Sequence, residues 1–134
     1  MDIDRFDDLL RAARAQPEPQ RLLLVFAGAE MPERPTPAER AAFEAGEGGA
    51  LAPLMCVDKD VAELSGFDAL VAEAARAGPP WAIVFAAALS GRGGLPPADH
   101  QTDAALRHMV EAIKAGRLDG MLPFDRSGEP VRLA

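Results

Sequence analysis

The residue types that carry out most covalent chemistry are scarce in this chain. Tyrosine and asparagine are absent from its 134 residues, and cysteine occurs once, as Cys56. Serine stands only at Ser65, Ser90 and Ser127, threonine at Thr36 and Thr102, and histidine at His100 and His108. That is a thin stock of nucleophiles, bases and oxyanion donors. A lone cysteine excludes an intramolecular disulfide and a cysteine-rich zinc site. The two histidines lie eight residues apart, which does not stack them on one helical face as metal ligands. The acids at Asp2, Asp4, Asp7 and Asp8 lack the glycine and distal glutamate of a calcium loop. No metal and no cofactor are expected.

Concentrated positive charge is missing too. The 12 arginines and 2 lysines are scattered singly in a chain of net charge -7, whereas nucleic-acid binders need a basic stripe that displaces counterions from phosphates. Residues 1–67 carry 13 acids against 7 bases, and residues 68–134 carry 8 against 7. No nucleic-acid partner is expected. The longest apolar run, Trp81–Leu89, is nine residues, about half a membrane span, so no membrane partner is expected either. The opening Met1-Asp2-Ile3-Asp4 is acidic where a secretory signal is basic and then apolar. The expected location is the cytoplasm.

What is present is enough for a core. Apolar residues make up 49% of the chain, so burial can drive folding without staples. Ile3, Phe6, Leu9, Leu10 and Ala13 recur at one-face helical spacing, with Asp2 or Asp4 as cap and Asp7 set to pair with Arg11. Gln16-Pro17-Glu18-Pro19 ends that helix. Leu22–Ala27 is apolar at every position, as is Trp81–Leu89, and such continuous runs predict strands covered on both faces. Leu54–Val57 predicts a weaker strand that Pro53 keeps from extending backwards.

Helices are predicted between these strands. Thr36-Pro37-Ala38-Glu39 forms a capping box with proline at the first helical position, and the helix should stop at Gly46. Phe67, Leu70, Val71, Ala74 and Ala75 form a stripe ended by Gly78-Pro79-Pro80. Leu106, Met109, Val110 and Ile113 form another, closed by Gly116. Met121–Phe124 and Val131–Leu133 flank a turn at Asp125–Gly128, as in a hairpin. The fold class expected is α/β: one domain over residues 1–134, with a largely parallel sheet of three to five strands flanked by helices and a C-terminal hairpin.

In open parallel sheets ligands bind beyond the carboxyl ends of the strands. That rule gathers Glu30, then Asp58 and Lys59, then Ser90 and Arg92 as candidate ligand-binding residues. Glycines in Ser90–Gly94 let backbone amides approach an anion, with Arg92 to neutralise it, although the loop lacks the lysine and spacing of a phosphate cradle. Gly46-Glu47-Gly48-Gly49 carries an acid and is a poorer anion loop. Lys59 is flanked by two aspartates that hold it protonated, and Asp60 with Glu63 fits a capping box. Cys56, between Met55 and Val57 in a strand, is expected as a small buried hydrophobe. His108 projects away from its apolar stripe and His100 sits where the helix begins. No catalytic residue is assigned.

At Leu22–Pro32, Gly46–Lys59, Pro80–Gly94 and Leu122–Leu133 the sequence resembles a family of small proteobacterial proteins. Members often carry the automatic label ribonucleotide reductase subunit alpha. The resemblance covers nearly the whole chain and brings no catalytic positions with it. The label does not fit the chemistry, since a reductase large subunit needs several redox cysteines and a radical site. The expectation is therefore a non-catalytic accessory or ligand-binding protein that self-associates as a homo-oligomer, a dimer, to cover its sheet edges. The alternative is a small enzyme or sensor for a small anionic ligand held by Arg92 and Lys59.

Overall fold

Hydrophobic spacing near the amino terminus sets the first element, α1 (Phe6–Arg14), which buries Phe6, Leu9, Leu10 and Ala13. Asp4 does not cap it, the N-cap position being Arg5, and Asp2 lies outside the described residues. Asp8 Oδ2 instead accepts the amide N–H groups of Asp4 and Arg5 at 3.1 Å, satisfying donors at the start of the helix. The computed structural model describes residues 3–30, 34, 36–44 and 50–132. Over these the order continues as β1 (Gln20–Glu30), α2 (Pro37–Glu44), β2 (Ala50–Asp60), α3 (Phe67–Ala77), β3 (Ile83–Ser90), α4 (Asp99–Lys114) and β4 (Leu122–Phe124). The predicted stop at Gly46, the Gly46–Gly49 loop and Leu133 lie outside the described residues. No helix among the described residues is long and apolar enough to cross a membrane.

The four strands form one sheet in the order β2-β1-β3-β4, and every neighbouring pair is antiparallel. This overturns the expected parallel sheet. Continuous apolar runs report burial on two faces, and two-faced burial is common in parallel sheets without being confined to them. Here it arises differently. Leu22, Leu24 and Phe26 of β1 point into a core built with α1 and α3, while Leu23, Val25 and Ala27 point into a second core under α4. The helix α3 does make a crossover, from β2 to β3. Those strands run the same way but are separated by β1, which lies between them in the opposite direction.

Aromatic packing fixes the larger of the two cores. The Phe6 ring lies 5.1 Å from that of Phe67 and 5.4 Å from that of Phe124, and Phe26 meets Trp81 edge-on at 4.9 Å. Full burial of such side chains contributes about 1.5–3 kcal/mol each. The start of α3 is tied to α1 by Asp7, whose Oδ1 accepts the Phe67 amide at 2.9 Å. Asp7 therefore does not pair with Arg11, which bonds Asp8 at 3.1 Å.

The strand predicted from Leu54 runs instead from Ala50 straight through Pro53. The pairing register explains how. Phe26 faces Met55 and Ala27 faces Pro53, so Leu54 is an extra residue in a bulge. Val61 N–H bonds Gln20 C=O and Gly91 N–H bonds Pro19 C=O. Given the alternation of antiparallel ladders, these place Met55, Val57 and Lys59 in hydrogen-bonded register with β1 and turn the backbone of Cys56 and Asp58 outward. Past the bulge Pro53 also faces outward, where its missing N–H costs no ladder bond.

The capping box at α2 forms as read: Glu39 Oε1 accepts from Thr36 N–H at 2.9 Å and Thr36 Oγ1 from Glu39 N–H at 3.1 Å. Asp60 and Glu63 make no such box; Asp60 Oδ1 accepts the Ala62 amide in a tight turn. Of the expected C-terminal hairpin only β4 is a strand; the return segment is reduced to a single bridge of Pro130 to Phe124 and the Val131 N–H bond to Pro123 C=O. That segment covers the outer side of β4. The edge of β2 carries no further strand among the described residues.

Candidate functional site

Strand direction decides where the candidate residues fall. With β1 antiparallel to both β2 and β3, the carboxyl ends of β2 and β3 meet at one end of the sheet, beside Gln20, and Glu30 ends the opposite side. Ten strand steps of about 3.4 Å separate these ends, roughly 34 Å. Glu30 is thus removed from the proposed crevice, and its side chain lies outside the described residues. The single crevice expected from a parallel sheet does not exist.

Asp58 and Lys59 share an end with Ser90 but lie on opposite faces of the sheet, Lys59 on the face that carries Ser90. Successive strand side chains point to opposite sides. Asp58 lies on the α4 side and forms an ion pair with Arg21 of β1, while Lys59 lies on the α3 side, with Nζ 2.5 Å from Glu73 Oε1. The flanking aspartates expected to hold Lys59 are therefore across the sheet from it. Both charges are consumed within the chain. Partly exposed pairs of this kind contribute little to stability, about 0–1 kcal/mol.

Ser90 and Arg92 do come together. They line a cleft of about 510 Å³ with Leu95, Pro97 and Gln101, the last in the first turn of α4. Ser90 Oγ accepts from Gln20 Nε2 at 2.9 Å and donates to Gly91 C=O at 3.1 Å. Arg92 is exposed and makes no ion pair among the described residues. The α4 start is capped by Gln101 Oε1, which accepts the Ala98 amide at 3.0 Å; His100 takes no part in that bond.

The glycine loop itself is a tight turn. Gly93 and Gly94 have φ of 62° and 80°, and Arg92 and Leu95 exchange backbone hydrogen bonds at 3.0 and 3.1 Å. Two successive positive φ values make this a hairpin turn that glycine adopts without strain. Most of its amides are already donated: Gly91 to Pro19 C=O at 2.7 Å, Arg92 to Leu95 C=O, and Gly94 to Glu18 Oε2 at 2.8 Å. A carboxylate occupies the place where an anion would approach. The loop is a built corner, and any anion at this cleft would depend on the Arg92 guanidinium.

A second cleft, of about 370 Å³, lies between β3 and α4 and is lined by Leu23, Leu89, Met109 and Met121, with His108 and Asp119 at its margin. Sequence reasoning missed it because the short β4 leaves the end of β3 uncovered, and strand lengths are not legible in composition. His108 is exposed, as its spacing off the stripe indicates. Gln20, half of the pair that holds Ser90, was also missed; its one sequence signal is a polar residue opening an apolar run.

Cys56 is exposed on the edge strand, which corrects the expectation of a buried hydrophobe. Apolar neighbours in sequence, Met55 and Val57, pack on the α1–α3 side, and alternation puts Cys56 on the other face. Among the described residues no cluster of three or more His, Cys, Asp or Glu is placed to hold a metal ion. Compared with known proteins, the chain matches no family model, no curated protein and no solved structure.

Proposed function

We propose that this chain is a non-catalytic accessory domain that works as a self-associated assembly, in the cytoplasm, where its exposed Cys56 thiol stays reduced. The observation that carries the reading is the β2 edge. Eleven residues, Ala50–Asp60, form an outer strand with Leu54 and Cys56 exposed, and such edges are templates for pairing with another chain. Sedimentation of the purified protein tests it. A dimer or higher species is expected at tens of micromolar, and a strictly monomeric protein at the highest reachable concentration rejects self-association.

A second reading rests on Arg92, exposed and free of ion pairs among the described residues at the mouth of its cleft. It takes the chain as a sensor or small enzyme for an anionic metabolite. Lys59, Asp58 and Glu30 are no part of that site. A thermal-shift screen of nucleotides and phosphorylated metabolites discriminates between the two, since a shift that Arg92→Ala abolishes supports an anion site and a shift that survives places the ligand elsewhere.

A further inference from the structure

We infer that the partner at the β2 edge is a second copy of this chain, added antiparallel to β2 about a two-fold axis through Val57, so that two four-stranded sheets join into one. The inference rests on the self-association reading above and gives it a surface and a register.

The outward-facing groups on the edge strand set the possibilities. Cys56 and Asp58 turn their N–H and C=O away from β1, and no described backbone or side-chain group takes them up. Asp60 also faces outward, but its carbonyl is already held by the amides of Glu63 and Leu64 at 3.0 and 3.2 Å. Upstream, the Leu54 bulge and Pro53 end the regular edge. The usable stretch is therefore Met55–Lys59, and outward residues must pair with outward residues.

Three symmetric registers satisfy that condition. If Asp58 faces its own copy, two carboxylates oppose each other across the strands, which is destabilising. If Cys56 faces its own copy, Asp58 meets the bulged Leu54 and pairing runs on towards Pro53. The third sets Cys56 against Asp58 twice, Val57 against its own copy and Lys59 against Met55. It uses only the regular stretch and opposes no like charges.

The charges that often guard an edge are spent here. Asp58 pairs with Arg21 and Lys59 with Glu73 in the same chain, so neither is left unpaired when the second copy arrives. Val57 is half-buried against the α1–α3 core, and a two-fold normal to the sheet puts that same layer of both copies on one side. The short regular stretch fits a contact of modest strength, specified by backbone hydrogen bonds and register.

The register predicts which thiols join. Facing residues at the non-hydrogen-bonded centre have Cα atoms about 4.5 Å apart, within the disulfide range of about 4.4–6.8 Å. Cys56 and its copy stand diagonally, about 7–8 Å apart. Under a mild oxidant, Val57→Cys in a Cys56→Ser background is expected to form a covalent dimer rapidly, whereas the natural Cys56 crosslinks poorly. Asp58→Pro removes one outward N–H per copy and is expected to weaken the dimer about tenfold or more relative to Asp58→Ala, which loses only the Arg21 pair. Circular dichroism confirms folding of each variant, and Cys56→Pro serves if Asp58→Pro misfolds. A wild-type protein that sediments as a monomer overturns both this inference and the function it rests on. A wild-type dimer in which Val57→Cys fails to crosslink, or in which the proline variant associates as tightly as Asp58→Ala, overturns the β2 interface alone.

Discussion

Asp125 shows how one side chain organises the C-terminal turn. Its Oδ1 accepts from the Ser127 hydroxyl at 2.6 Å and from the amides of Ser127 and Glu129 at 2.8 and 3.1 Å. The Ser127 hydroxyl bond, partly offset by desolvation and assisted by the backbone amides, holds the carboxyl below its ordinary value. A folded pKa below the unfolded one means stability that is complete above the usual carboxylate range and lost as pH falls through the depressed value. Asp125→Asn is expected to destabilise by about 1 kcal/mol at neutral pH. The gap between variant and wild type should close in acid below about pH 4, measured by urea unfolding at several pH values. Next in the turn, Gly128 has φ of 83°, its carbonyl accepts the Phe6 amide at 2.8 Å, and an added Cβ would lie 3.0 Å from the Phe67 ring. Gly93 has a similar positive φ but open space around it. Gly93→Ala should therefore cost the left-handed strain alone, about 1–2 kcal/mol. Gly128→Ala adds overpacking of about 1–3 kcal/mol. Equal melting points for the two variants would mean that the Phe67 contact is not tight.

At the scale of elements, the sequence pattern located β1 and β3, α1, α3 and α4, and the short β4, because each is written in local spacing. Strand direction was not legible. The Leu22–Ala27 run states that both faces are covered, and the pairing partner that fixes direction lies in another segment. From that one unknown the site errors follow: Glu30 moved to the far end of the sheet, and Asp58 and Lys59 parted to opposite faces. Cys56 failed for a related reason, since an apolar neighbourhood in sequence does not tell an edge strand from an inner one. The Ser90–Arg92 pairing survived because both residues sit on one corner. Two-faced burial is itself testable. Leu23 and Leu24 are adjacent, point into different cores and are 3% and 0% exposed, so replacing either by alanine should cost about 2–5 kcal/mol. Cys56→Ser, on the open edge, should stay within about 0.5 kcal/mol. A large loss for only one of the two leucines would indicate a sheet with one wet face.

For the molecule as a whole, charge and edge pairing act in opposite directions. Each copy carries a net charge of -7, so bringing two together costs repulsion that salt screens within a Debye length of about 8 Å at physiological ionic strength. Backbone pairing along β2 is much less sensitive to salt. Association through this edge should therefore tighten as salt rises from about 0.02 M to 0.15 M, the reverse of an interface held by opposite charges. Because a dimer stabilises only the folded state, its melting temperature must also rise with protein concentration. The expected pattern is a melting point that climbs with both protein concentration and salt in the wild type, and more weakly with both in Asp58→Pro. Differential scanning calorimetry over a hundredfold concentration range reads both dependences. A wild-type melting point independent of concentration removes the assembly, and a dimer that loosens with salt replaces the edge pairing with an ionic interface elsewhere on the surface.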